Sequence, residues 1–75
     1  MPKLPTLSGD KAIGCFKKLG YEISRQKGSH VRMHHQSDKA KKPLTIPRHK
    51  ELGKGLIRKL IRDAGIGLED LAGLL

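Results

Sequence analysis

Three of the four histidines in this 75-residue chain lie in one segment, RQKGSHVRMHHQ, which runs from Arg25 to Gln36. A Gly-Ser pair directly precedes His30, and lysine and arginine residues lie on both sides of this Gly-Ser-His triplet. Histidine is the side chain whose ordinary pKa suits proton transfer near neutral pH. An imidazole in this setting could be a solvent-facing residue, a metal ligand, or a proton-transfer group beside a negatively charged substrate.

Strand geometry argues against the metal site. The residues after the Gly-Ser pair alternate in polarity, which predicts a β-strand with His30 and His34 on one face and His35 on the other. Residues four apart on a strand are roughly 13 Å apart, whereas zinc lies about 2.0–2.1 Å from each ligating nitrogen. The single cysteine, Cys15, cannot supply a Cys-x-x-Cys pair and is expected to be a buried thiol. We therefore expect no metal and no other cofactor.

The proton-transfer interpretation is favoured by the neighbours of His30. Gly28 permits a tight turn or the close approach of a substrate, and Ser29 can hydrogen-bond a phosphate oxygen. Lys27 in the turn adds positive charge, and Arg25 and Arg32 are close in sequence. RNA carries its own nucleophile, the 2′-hydroxyl, so its cleavage needs only proton removal, proton donation and cations on the phosphate. Incidental surface histidines are also common in basic proteins, and a surface position is what we expect for His34 and His35.

The net charge indicates the class of partner. Sixteen Lys and Arg residues against seven Asp and Glu give +9, and nucleic acid is the commonest matching polyanion. Phe16 and Tyr21 are the only aromatic residues, which favours contacts to phosphates and sugars over stacking on unpaired bases. The chain has no apolar run near the roughly 18 residues of a membrane span and no signal-type N-terminus. We expect a cytoplasmic protein, without a membrane partner, that forms a single domain over residues 1–75.

Amphipathic helical patterns flank the histidine segment. Ser8 is a good N-cap for a first helix that Gly20 ends. A second apolar stripe at helical spacing predicts a helix that begins near Gly55 and ends at Gly65. The C-terminal IGLEDLAGLL predicts a short third helix. Its residues expected to cover the edge of the core are Leu68, Leu71 and Leu75.

Three short segments between these helices, YEISRQ, HVRMHHQ and PLTIP, predict an antiparallel meander with one apolar face. The residues expected on that face are Ile23, Val31, Met33, Leu44 and Ile46. Two helices can cover it, which gives an α-β-β-β-α order and a two-layer α+β sandwich. The residues expected on the opposite, open face are Ser24, Gln26, His30, Arg32, His34 and Thr45.

Three motifs occur in a fixed order along the chain: the Gly28-Ser29-His30 triplet, Pro47-Arg48-His49, and the helix KGLIRKLIRDAGI. Together they resemble the HicA-like (YcfA-like) mRNA interferase toxins, nearly from end to end. The resemblance implies a fold like a double-stranded-RNA-binding domain, with two helices on one face of a three-stranded antiparallel sheet. It also implies a ribosome-independent endoribonuclease that acts on mRNA, the toxin of a type II toxin–antitoxin pair. The implied partner is a HicB-like antitoxin that covers the active face.

The family's catalytic histidine corresponds to His30. The family triplet is often followed by a second histidine or a bulky apolar residue; here Val31 follows, and the strand pattern directs it into the core. His49 could hold a phosphate, supply a second proton-transfer group, or brace the approach to the second helix. For each Lys or Arg among the expected RNA contacts, an ordinary position on the solvated surface fits the sequence as well as a phosphate contact does. The residues expected to contact RNA are Gly28, Ser29, Lys27, Arg32, His49, Lys54 and Arg58.

Two other functions fit the same sequence. A non-catalytic module of the double-stranded-RNA-binding type would bind shape, phosphates and 2′-hydroxyls without cutting the strand. A partner-binding subunit with an inactive site would use its basic face only to match an acidic antitoxin. The sequence leaves both alternatives open.

Overall fold

The computed structural model describes residues 6–75. Its elements in chain order are α1 (Gly9–Lys18), β1 (Tyr21–Lys27), β2 (His30–His35), β3 (Leu44–Pro47), α2 (Lys54–Ala64) and α3 (Leu68–Gly73). The three strands form one antiparallel sheet in the order β1-β2-β3. The α+β architecture and the short third helix are both confirmed. No helix within this described range is long and apolar enough to cross a membrane.

The first helix begins where its capping residue predicts. The Ser8 hydroxyl accepts a hydrogen bond from the Lys11 amide at 3.1 Å, which satisfies one of the free N–H groups of the first turn. Gly20 follows the helix with φ +100°, a conformation that residues with a Cβ rarely adopt. The second helix begins at Lys54, one residue before the predicted Gly55.

The core lies between the sheet and the helices. Its buried apolar residues include Leu7, Phe16, Tyr21, Val31, Met33, Leu44, Ile46, Ile57, Leu60 and Leu71. Cys15 is buried among them, as expected. At the C-terminus Leu71 is buried, but Leu75 is 56% exposed, and Leu74 packs on the core in its place. The helices thus cover one sheet face and leave the other to solvent.

Ile23 is the exception on the predicted apolar face. It lies on that face, opposite the buried Met33, but it is 38% exposed and is not part of the core. Strand β1 is at the edge of the sheet, and Ile23 lines an open surface depression together with Lys17, Glu22 and Gln36. An edge position leaves an apolar side chain without a neighbouring strand on one side.

A β-bulge interrupts β1. Ile23 pairs with Met33, but the next pair along the ladder joins Arg25 to Arg32, which leaves Ser24 as an extra residue in β1. Successive residues of a strand point to opposite faces of the sheet. An extra residue therefore moves every later side chain of that strand to the face opposite the predicted one.

The bulge reverses the predicted orientation of the end of β1. Gln26 pairs with the buried Val31, so the expectation that Gln26 lies on the open face is wrong. Arg25 and Lys27 take the open face instead, and Lys27 lies directly opposite His30. The open face is therefore more positive than the sequence pattern predicts.

Candidate functional site

A groove of about 600 Å³ runs over the open face of the sheet. This volume lies within the roughly 300–1,000 Å³ of typical ligand sites. Its lining residues are Ser24, Arg25, Lys27, His30, Arg32, His34 and Thr45. Three of these are Lys or Arg, two are His, and none is Asp or Glu. All three strands contribute, and the arrangement suits a negatively charged ligand.

His30 is the first residue of β2 and is exposed to solvent in this groove. The hairpin that presents it has a two-residue loop, Gly28 and Ser29, between the paired residues Lys27 and His30. Gly28 has φ +58°, whereas Ser29, like every other non-glycine residue the structure describes, does not have a positive φ. This is the pattern of a type II′ turn, in which the first loop position is glycine. A tight hairpin of this kind places His30 at the end of the groove.

Contacts to the chain after β3 hold this turn in place. The Ser29 carbonyl oxygen accepts a hydrogen bond from the Arg48 amide at 2.7 Å. Next to it, His30 pairs with Pro47 across the β2–β3 ladder. The Gly-Ser-His triplet and the Pro-x-His motif, which lie far apart in the sequence, are therefore neighbours in the fold.

The Pro-x-His segment is in turn fixed to the start of α1. The Gly9 amide donates to the carbonyl oxygen of His49 at 2.9 Å, and the Arg48 guanidinium lies 3.0 Å from the carboxylate of Asp10. The main chain of His49 thus braces the approach to α2, one of the roles left open. Its imidazole is exposed and does not line the groove.

Arg32 occupies the middle of the groove. Its Nη1 donates to the hydroxyl of Thr45 on the neighbouring strand at 3.0 Å, so the guanidinium has a fixed position. Arg25 is its direct partner on β1, and Lys27 follows one position closer to the turn on the same face. Arg25 was not among the residues expected to contact RNA, whereas the structure places it on the open face beside Arg32.

His34 lies at the far end of the groove from His30. It is exposed, as expected, but it is not isolated: the Ser24 hydroxyl lies 2.6 Å from its Nδ1 and also donates to the carbonyl oxygen of Arg32 at 3.2 Å. His30 and His34 are four residues apart on one strand, about 13 Å, which is too far for both rings to act on one phosphate.

His35 has a structural role, and the expectation that it is a surface residue is wrong. Its ring is half-buried and packs edge-on against Tyr21, with ring centroids 5.1 Å apart. Its Nε2 donates to the carbonyl oxygen of Leu19 at 2.8 Å, and its Nδ1 accepts from the amides of Asp38 at 2.9 Å and Ser37 at 3.3 Å. These bonds require the neutral tautomer with the proton on Nε2. The ring fastens the end of β2 to the end of α1.

The remaining expected RNA contacts are not in the groove. Lys54 and Arg58 are exposed on α2, which belongs to the helical layer behind the sheet. Gly28 and Ser29 form the turn at the end of the groove but do not line it. Among residues 6–75 no three His, Cys, Asp or Glu side chains lie close enough together to hold a metal ion.

Two groups outside the groove have shifted pKa values. Burial raises the pKa of the Cys15 thiol, and the positive charges of Lys18 and Lys11 only partly oppose this shift. Burial also raises the pKa of the Tyr21 hydroxyl, and the carboxylates of Asp63 and Asp38 add to the effect. Both groups therefore stay protonated at neutral pH and belong to the core.

Comparison with known proteins identifies the family. The family model for the HicA toxin of bacterial toxin–antitoxin systems matches residues 9–66. The chain belongs to the HicA toxin family. The matched range contains the Gly-Ser-His triplet, the Pro-x-His motif and every residue that lines the groove. The resemblance that these motifs indicated is confirmed.

A solved structure agrees with this assignment. The chain is similar to one in a structure described as a toxin–antitoxin complex from Streptococcus pneumoniae, with 30% sequence identity and a TM-score of 0.64. The match covers 79% of this chain and 97% of that one. No curated protein sequence matches the chain.

Proposed function

We propose that this HicA-family protein is a ribosome-independent endoribonuclease that cleaves mRNA as the toxin of a type II toxin–antitoxin pair. The observation that carries the proposal is the position of His30. It is exposed at the end of a groove whose charged side chains are all cationic, with Lys27 directly opposite and Arg32 on the same face. An imidazole beside fixed positive charge is what cleavage by the RNA's own 2′-hydroxyl requires.

In the proposed reaction the 2′-oxygen attacks the adjacent phosphorus. The new O2′–P bond forms as the P–O5′ bond breaks, which leaves a 2′,3′-cyclic phosphate and a 5′-hydroxyl. His30 serves as general base for the 2′-hydroxyl proton or as general acid for the departing 5′-oxygen. Because the groove is open, water can supply the other proton transfer. A positioned acid or base of this kind contributes about 10²- to 10⁴-fold to the rate.

Lys27 and Arg32 would stabilise the charge that collects on the phosphate oxygens. Both side chains line an open groove, so salt screens them more than it would in a closed site. Their main contribution is then to hold the strand, and binding is expected to weaken steeply as salt rises. Gly28 and Ser29 would allow the sugar–phosphate chain to pass close to the turn.

We also propose that the groove is the surface on which a HicB-like antitoxin acts. The similar chain of known structure comes from a toxin–antitoxin complex. A positive groove without carboxylates matches an acidic partner, which would block RNA by occupying the same cations.

A non-catalytic RNA-binding role is the second candidate. Lys54 and Arg58 lie one helical turn apart on the exposed side of α2, outside the groove. They could hold duplex phosphates without any part in strand scission. In that case His30→Ala would change affinity only slightly.

Cleavage of a defined RNA tests the proposal directly. Purified protein is incubated with the RNA in EDTA, and His30→Ala is compared with His34→Ala, a histidine on the same strand and face. We expect wild type to cut, His34→Ala to retain the rate at saturating protein, and His30→Ala to lose about 10²-fold or more. RNA left intact by wild type, or cut equally by His30→Ala, would show that His30 chemistry is not the function. Growth arrest on expression of wild type but not of His30→Ala would extend the result to cells.

A further inference from the structure

The bulge in β1 places two arginines opposite each other. Arg25 and Arg32 are direct cross-strand partners, and both line the groove. Like charges in this position destabilise a sheet. The one ion pair found among the described residues joins Arg48 to Asp10, away from this pair. Among the described residues, neither Arg25 nor Arg32 therefore forms an ion pair with a carboxylate.

One of the two guanidinium groups is already oriented. Arg32 uses Nη1 to bind the Thr45 hydroxyl at 3.0 Å, which leaves its other N–H donors available. A guanidinium carries five donors in a planar fork that matches the oxygens of a phosphate. A second guanidinium from Arg25 beside it would supply donors to the same anion. An anion between the two side chains would also remove their mutual repulsion.

We propose that Arg25 and Arg32 together bind a backbone phosphate of the RNA, next to the phosphate that reacts at His30. The inference rests on the proposed ribonuclease function and adds to it a second phosphate subsite. Arg32 is two residues from His30 on the same face, about 6.6 Å along the strand. Lys27, directly opposite His30, is the cation closest in register to the reacting phosphate.

This arrangement gives the groove a direction. The arginine pair lies on one side of His30 along the strands, while on the other side the chain turns at Gly28 and Ser29. The bound strand is consequently held on one side of the cleaved bond. Arg25 and Arg32 are positioning residues for RNA and do not take part in proton transfer.

The test separates binding from chemistry. Binding of a single-stranded RNA is measured in a His30→Ala background, with and without Arg25→Gln, over a range of salt concentrations. We expect Arg25→Gln to weaken binding by about tenfold or more and to reduce the slope of log affinity against log salt by about 0.7. The matched control is Arg62→Gln on the exposed side of α2, which removes the same charge outside the groove. An effect of Arg25→Gln no larger than that of Arg62→Gln would overturn the proposal.

Cleavage by Arg25→Gln with His30 intact gives the second readout. Arg25→Gln should raise the protein concentration that gives half the maximal single-turnover rate by about tenfold. A fall of the maximal rate to the level of His30→Ala would place Arg25 at the reacting phosphate and overturn the subsite. The midpoint of thermal unfolding should be unchanged or higher, because the like-charge pair is gone; a fall of several degrees would contradict the repulsion argument. If wild type fails to cut RNA but Arg25→Gln still weakens binding, the ribonuclease function fails and the phosphate site stands. If His30-dependent cutting is seen and Arg25→Gln binds normally, only the phosphate site fails.

Discussion

Replacing Gly9 by alanine should loosen the support of the turn that precedes His30, although alanine is normally the better helix residue. Gly9 is buried at the first position of α1. A Cβ there would clash with the carbonyl oxygen of Pro47 and lie 2.8 Å from the Cα of Arg48. Both obstacles are backbone atoms, which cannot move aside as the end of a flexible side chain can. The same segment binds the Ser29 carbonyl through the Arg48 amide.

The expected magnitude follows from two opposing effects. A Gly→Ala change inside a helix stabilises by roughly 0.5–1 kcal/mol, whereas overpacking typically costs about 1–3 kcal/mol. Because the nearest contacts are backbone atoms closer than 3.0 Å, the upper half of the overpacking range applies. The net expectation for Gly9→Ala is a loss of about 1–2.5 kcal/mol, which lowers the midpoint of thermal unfolding by about 4–20 °C in a domain of this size. Cleavage of RNA should fall as well, because the Pro47–His49 segment carries the turn before His30.

Gly14→Ala is the matched control. Gly14 lies in the same helix, is exposed, and a Cβ there would meet no atom within 4 Å. This variant should gain up to about 1 kcal/mol and cleave RNA as wild type does. The measurement is thermal or urea unfolding of Gly9→Ala, Gly14→Ala and wild type under the same conditions. Equal or greater stability of Gly9→Ala relative to wild type would refute the packing argument.

Two further predictions concern the core. Tyr21→Phe removes the hydrogen bond that the Tyr21 hydroxyl donates to the carbonyl oxygen of Lys42 at 2.9 Å, and should cost about 1 kcal/mol in urea unfolding at neutral pH. Because the folded pKa of Tyr21 is raised above its ordinary value of 10.0, the unfolded chain loses this proton first, so stability is retained below pH 10.0 and declines above it. The stability of Tyr21→Phe should decline less steeply above pH 10.0, and identical slopes for the variant and wild type would contradict the raised pKa of Tyr21. Cys15, with its pKa also raised by burial, should react with iodoacetamide at neutral pH far more slowly in the folded protein than in urea; equal rates would show that the thiol is accessible.

Much of the local structure is determined by short-range interactions and could be predicted from sequence. Ser8 begins α1 because its hydroxyl is three residues from the amide that it caps. Gly28 and Ser29 form a tight turn because glycine tolerates the positive φ of the first loop position. His30 follows that turn directly, and strict alternation in β2 places it on the open face. These features depend only on neighbouring residues.

The sequence pattern could not predict contacts between distant segments. His35 looks in the sequence like one more polar residue at the end of β2, yet Tyr21 and the Leu19 carbonyl hold it in place. His49 reads as a candidate for chemistry, yet its main chain accepts a bond from Gly9 at the start of α1. In each case the partner is far away in the chain, and no local signal identifies it.

The sequence by itself determined that His30 follows a glycine turn, that its strand has one buried and one open face, and that the chain is strongly basic. Only the tertiary structure decided which cations of β1 share the groove with that histidine. The reason is the bulge at Ser24. Whether a strand contains an extra residue depends on its hydrogen bonds to the partner strand, and the alternation of polar and apolar residues in the sequence gives no information about those bonds. That one residue brings Arg25 and Lys27 into the groove and turns Gln26 away from it.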